Sequence, residues 1–180
     1  MQLRPDIQIT SMIKAMSDVI LPAVDPNNKL AVEQSQLVIG MLSLMARQLP
    51  IQYRFDVDEL GRLLDAARRM QAATTSAPAA ASALTALSQA EKTGSEVLER
   101  CRLDPAELLG AIRALHSGLS GVVCALGGGD DTAAQVRAER VVLDMAKEQL
   151  IRDRAMLVMQ GFERDPAAVP AIEKLLDEAI

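Results

Sequence analysis

The stretch "DPAELLGAIRALHSGLSGVVCALGGGDDTAAQV", residues 104–136, decides the fold. Leu108, Ile112, Leu115, Leu119, Val122 and Leu126 recur in alternating steps of four and three, which places them on one side of a helix turning about 100° per residue. Asp104 followed by Pro105 is a helix start. The aspartate accepts hydrogen bonds from the free N–H groups of the first turn, and proline stands where a missing N–H does no harm. Glu107 completes the spacing of a capping box. A second set, Gly110, Ala114, Gly118, Gly121 and Ala125, lies about 120° around the same helix. Small side chains there would let another backbone approach, so the helix is expected to sit centrally with neighbours on two sides.

The three glycines that end this stretch raise the question of a phosphate-binding loop. Such a loop follows a strand and continues into Gly-Lys-Ser/Thr, or spaces its glycines as G-x-G-x-x-G at a strand-to-helix turn. Here a helix precedes the glycines, no lysine follows, and Asp130 and Asp131 would put negative charge where a phosphate should lie. The segment reads as a turn between helices, with Gly127 in a left-handed position and Asp131 capping the next helix.

Working outward, the same signals recur. Asp25-Pro26 and Asp165-Pro166 repeat the start motif, and Asp56 with Glu59 repeats the capping box. A first helix is expected from about Thr10 to Leu21, with Ile9, Met12, Ile13, Met16, Val19 and Ile20 on its apolar face. A second should run from about Asn27 to Leu49, burying Leu30, Leu37, Val38, Met41, Leu42, Met45 and Leu49. The third begins after Asp56 and presents Leu60, Leu63, Leu64, Ala67 and Met70. Between them Ile51, Tyr53, Phe55 and Val57 alternate with Gln52, Arg54 and Asp56. With no second strand to pair with, this is expected to be an extended connector. The Ala/Ser/Thr-rich stretch 73–103 predicts a weak helix from Pro78 to Lys92 and a short piece ending near Cys101. The last long helix, from Thr132 to Gln160, would span about 45 Å. On it Val136, Leu143, Leu150 and Leu157 repeat every seven residues, while Val141, Val142, Met145, Ile151, Val158 and Met159 spread around the circumference. Burial by more than one neighbour, including a second copy of the chain, would explain that spread. A short amphipathic helix from Asp165 to Ile180 closes the sequence. The expectation is an all-α bundle of about six to seven helices with one long helix in the C-terminal half. It forms one domain, residues 1–180, with sub-parts 1–72 and 104–180 joined by 73–103.

Composition agrees. Of the 180 residues 49% are hydrophobic but only 2% aromatic, so the core must come from Leu, Ile, Val, Met and Ala, a mix that favours helices over sheets. Net charge is −5, and all the acidic excess follows residue 103, where 13 acidic residues face 8 basic ones. Clustered lysine, arginine and stacking aromatics are lacking, so nucleic acid is not an expected partner. Cys101 and Cys124 have no paired spacing for zinc or a disulfide framework. Lys14 and Asp18 interrupt the N-terminal apolar run, and the strongest run, Leu37 to Ala46, is short of the roughly 20 residues a membrane span needs. A cytoplasmic protein without a membrane span is expected.

Reaction chemistry is sparse. His116, the one histidine, stands four residues before Ser120, the spacing of a conceivable nucleophilic dyad. No carboxylate nearby in sequence would orient the ring, and no oxyanion hole is legible. The Glu-x-x-His motif of di-metal bundles is absent, since Arg113 precedes His116 by three. Cys124 is two turns away. The charges in "RAERVVLDMAKEQLIRDR" read as a solvated, ion-paired surface. Methionine pairs Met12/Met16, Met41/Met45 and Met156/Met159 read as filling for a core short of aromatics, or as the lining of an apolar groove. No catalytic, cofactor or metal residues are assigned.

Val19 to Leu49, about a sixth of the chain, resembles a helical domain family of unknown function whose members are often encoded beside acyl-CoA dehydrogenases and kinases similar to aminoglycoside phosphotransferases. Leu21, Pro22 and Ala23 match its pattern of a helix ending in Leu-Pro-Ala before a long apolar helix. Glu33, Gln34 and Gln36 stand where that family carries arginine and asparagine. The resemblance implies an accessory role near acyl-CoA metabolism. Three functions follow as expectations: a self-associating, non-catalytic protein docking on a partner enzyme, a binder of an apolar or acyl ligand, and a hydrolase acting through His116 and Ser120.

Overall fold

The computed structural model describes residues 4–74, 77–100, 104–158, 161 and 163–177. Among them every regular element is helical and none is a strand, as an all-α bundle requires. The chain divides into two compact units, residues 53–153 with 171–180, and residues 1–52 with 154–170.

The larger unit is built on α4 (Gln52–Thr74), α5 (Ala81–Glu99), α6 (Pro105–Gly127) and the greater part of α7 (Thr132–Leu157). Neighbours run antiparallel. Between α4 and α7, Arg152 meets Asp58, Arg69 meets Asp144, and Arg137 donates to the Ala73 carbonyl. Between α4 and α5 the Arg68 guanidinium donates to Glu91 at 3.0 Å. Between α5 and α6, Gly118 lies against Leu87. The result is an up-and-down four-helix bundle. Its core takes Leu60, Leu63, Leu64, Ala67 and Met70 from α4, Leu87 and Val97 from α5, and Ala134, Ala138 and Val141 from α7. All six seam residues of α6 are buried as their spacing predicts. The Ala/Ser/Thr-rich stretch thus contributes a bundle helix. It is one helix through Lys92 and Thr93, and Gly94 lets it lie close to its neighbours, since an added Cβ there would stand 3.1 Å from Leu64 and 3.3 Å from Leu115. Cys101 lies outside the described residues. By length and apolar composition α6 could cross a membrane, a property that the short run Leu37–Ala46 does not share. In the bundle its seam faces the core.

Local chemistry sets the ends. Asp104 Oδ1 accepts from the Ala106 N–H at 2.8 Å with Pro105 in the first turn, while Glu107 pairs with Arg100 rather than closing a capping box. Asp131 caps α7 through the Ala134 N–H at 2.9 Å. Gly127 is not left-handed as expected: it is the last residue of α6, Gly128 has φ −92°, and Gly161 alone has positive φ among the described residues. At Gly129 a Cβ would stand 3.0 Å from the Ala79 methyl, a contact so tight that the neighbour would have to give way.

The extended connector is overturned. Residues 52–57 already belong to α4, with Phe55 and Asp56 buried, so Asp56 is an interior residue and not a cap. Asp165-Pro166 starts only a 3₁₀ turn, Pro166–Ala168, and α8 runs from Ile172 to Asp177. Ile172 and Leu176 of α8 are buried.

In the smaller unit α1 (Pro5–Ala15) passes through a π turn, Met16–Ile20, into the single turn α2 (Leu21–Ala23), and the chain doubles back along α3 (Lys29–Gln48). The π turn sits just before Pro22. Proline has no N–H to donate and its ring crowds the carbonyl four residues back, so the turn widens and the Leu21 N–H reaches the Met16 carbonyl. Asp25 does not start α3. Its carboxylate accepts from the Asn27 N–H, and Asn28 supplies the cap, accepting from Ala31 at 3.1 Å. Arg154 makes two hydrogen bonds of 2.9 Å to Glu163, which hold the Glu163 carboxyl below its ordinary value.

Candidate functional site

His116 is exposed on α6, and its Nε2 lies 3.1 Å from Glu59 Oε1 on α4. A carboxylate does reach the ring, then, but from 57 residues away. No hydrogen bond joins His116 to Ser120, which is itself exposed. A nucleophilic dyad needs one ring nitrogen on the hydroxyl and water held off the pair. His116 and Ser120 have neither, and the ring's partner is Glu59, at hydrogen-bond distance on the surface. Cys124 is a free, exposed thiol. Among the described residues no three His, Cys, Asp or Glu side chains cluster as metal ligands would.

The buried polar chemistry lies elsewhere. Asp58 of α4, its side chain 3% exposed, accepts from Arg62 Nε at 2.9 Å and from Arg152 Nε of α7 at 2.7 Å. Both arginines are 12% exposed. Arg152 also donates to the Leu175 carbonyl at 3.3 Å, which ties α8 to the bundle. One carboxylate between two guanidiniums leaves a net positive charge, and Arg62 Nη2 is buried without a hydrogen-bond partner. Such an orphan donor is costly and calls for an explanation. Beside the cluster a half-open cavity of about 440 Å³ is walled by Tyr53, Val57, Leu98 and Leu176, with Arg54 and Arg62 among its polar groups. That volume is within the range of small-molecule sites. Asp65 and Glu148 line it too, so its charge is mixed.

Sequence reasoning missed this cluster. Asp58 and Arg62 stand four apart on one helix and could have been paired, but Arg152 was placed on a solvated surface. Burying it takes the α4–α7 packing, which brings together residues 94 positions apart.

The other feature is apolar surface. Val19, Leu30, Leu37, Val38, Met41, Met45 and Leu49, expected in the core, are exposed. Only Ile9 and Leu44 are buried in α1 and α3. Helix α3 instead turns Val32, Ile39 and Leu42 part-way inward, so it is apolar on opposite sides. Of the methionine pairs, Met12, Met41 and Met45 are exposed and so do not fill a core, Met16 and Met156 are half-buried, and Met159 lies outside the described residues.

Comparison with known proteins adds no relative: no family model, no curated protein and no solved structure matches this chain. What fold and site define is a class, an all-α helical bundle protein.

Proposed function

We propose that this is a non-catalytic, self-associating helical protein with an accessory role. The observation that carries the reading is the set of large apolar side chains left in water on α3, with Leu30 at 67% and Leu37 at 56% exposure. The largest apolar patch on an ordinary monomer covers roughly 300–600 Å². Leu30, Leu37, Val38, Met41, Met45 and Leu49, 44–67% exposed, are gathered on one side of a single helix, where exposed apolar residues are ordinarily scattered singly. Such a face costs free energy until it is covered. The resemblance of Val19 to Leu49 extends the reading to a partner enzyme that handles acyl-CoA compounds. Light scattering across a concentration series tests the self-association: a mass that rises to a dimer or higher supports it, and a constant monomer mass overturns it.

A second reading, the binding of an apolar carboxylic acid, is favoured by the orphan Arg62 N–H beside a cavity that has Val57, Leu98 and Leu176 among its walls. The carboxylate would neutralise the Asp58–Arg62–Arg152 cluster while the tail lies along Val57, Leu98 and Leu176. Thermal shifts that grow with chain length across a fatty-acid series, and vanish in Arg62→Met, would support it. No shift with any member would remove it.

A further inference from the structure

Helix α7 carries a second apolar feature, distinct in its order. Val136, Leu143, Leu150 and Leu157 stand at intervals of seven and are 58%, 56%, 56% and 43% exposed. At about 100° per residue they lie across the helix from Ala134, Ala138 and Val141, the residues α7 buries in the bundle. A seven-residue repeat drifts only about 20° per step, so the four form a nearly straight outward seam. Its edges differ in sign. Three residues beyond the first three seam positions stand Glu139, Ala146 and Asp153, and four residues beyond stand Arg140, Lys147 and Arg154. Acid lines one edge and base the other.

Segregation of this kind discriminates between ways of pairing two such helices. A two-fold axis across the helices, which makes them antiparallel, brings each edge against its own kind: Glu139 toward the partner's Asp153, and Arg140 toward the partner's Arg154. A two-fold axis along the helices brings each acidic edge against the other copy's basic edge, so Glu139 meets the partner's Arg140 and Asp153 meets the partner's Arg154. Like charges brought together penalise the first arrangement, and opposite charges set the register of the second. Ala146, small and midway along, lets the backbones approach. The aliphatic stems of Arg140, Lys147 and Arg154 can cover the narrow seam while their charged ends stay in water. All three bases of this edge already have a carboxylate in their own copy, Arg140 and Lys147 in Asp144 at 3.4 and 3.8 Å and Arg154 in Glu163 at 2.9 Å, so Arg140 and Arg154 are each shared between that carboxylate and the partner's.

We infer that α7 is the pairing helix of a homodimer in which two copies lie parallel, with Val136, Leu143, Leu150 and Leu157 each meeting the same residue of the other copy. The inference rests on the self-association reading and adds to the α3 face a second surface, with a defined orientation. The full chain with Cys101→Ser and Cys124→Ser, carrying either Leu143→Cys or Leu150→Cys, should form a disulfide-linked dimer on mild oxidation in both variants, because parallel pairing alone brings both positions within the Cα separation of about 7 Å that a disulfide tolerates, whereas an antiparallel pair does so at one of them at most. Leu143→Glu in the native chain should raise the dimer dissociation constant at least tenfold, and Ser120→Glu on exposed α6 should leave it within twofold. If light scattering gives a dimer but either cysteine variant fails to cross-link, or Leu143→Glu dimerises normally, parallel α7 pairing is overturned while self-association stands. A native chain that stays monomeric overturns both.

Discussion

Gly118 lies at a close contact between α5 and α6. A methyl group there would be 2.9 Å from Leu87 Cδ1 and 3.3 Å from its Cα, and Leu87 is fully buried. Gly118→Ala is therefore expected to destabilise the protein by about 1–3 kcal/mol, the cost of overpacking a tight contact. Gly110 and Gly121 belong to the same small-residue set but face open space. Exposed glycines inside a helix cost conformational entropy, so Gly110→Ala and Gly121→Ala should each stabilise by about 0.5–1 kcal/mol. Urea melts of the three variants check both signs at once. The contrast corrects the expectation of a close neighbour along this whole face; Gly118 has one and Gly110 and Gly121 do not. Asp58 tests a different effect. Asp58→Ala strands two mostly buried guanidiniums, a loss expected to cost about 3–5 kcal/mol. A loss of less than about 1 kcal/mol in the same melts would mean that the arginines find other partners.

Helix boundaries depended on which polar group reached the free N–H groups of a first turn. Asp104 and Asp131 were legible caps because each stands immediately before its helix, with its carboxylate on an N–H two or three residues on. Asp25 carried the same Asp-Pro signature yet serves a turn, because Asn28 lies closer to the start of α3 and takes the cap. Asp104→Ala should accordingly lower stability by about 1 kcal/mol, and Asp25→Ala by much less. Equal losses in thermal melts would contradict the assignment. The start of α4 was illegible for another reason. Residues 51–57 alternate like a strand, but Val57 also stands three residues before Leu60 and seven before Leu64 on the core side of a helix, and packing against the bundle chooses that form.

The two units differ in how much they bury. Residues 53–153 enclose a continuous core drawn from four helices, whereas α1 and α3 bury only Ile9 and Leu44 fully. Few buried apolar contacts mean a low cost of local opening. Amide hydrogens of α1 and α3 are thus expected to exchange at least a hundredfold faster than those of α4 and α6 in dilute solution, with protection rising on self-association wherever a face is covered. Mass-spectrometric exchange at two protein concentrations reads both; equal protection of the two units in the dilute sample would contradict the expectation. By itself the sequence determined the helical class, the α6 seam and the core face of α4, since a helix buried along one stripe writes that stripe as steps of three and four. Only tertiary structure decided which side of α3 and α7 faces inward, because a helix with apolar residues on opposite sides has no preferred inside until a neighbour covers one of them. It alone also brought Arg152 to Asp58, since a pair 94 residues apart leaves no local periodicity to read.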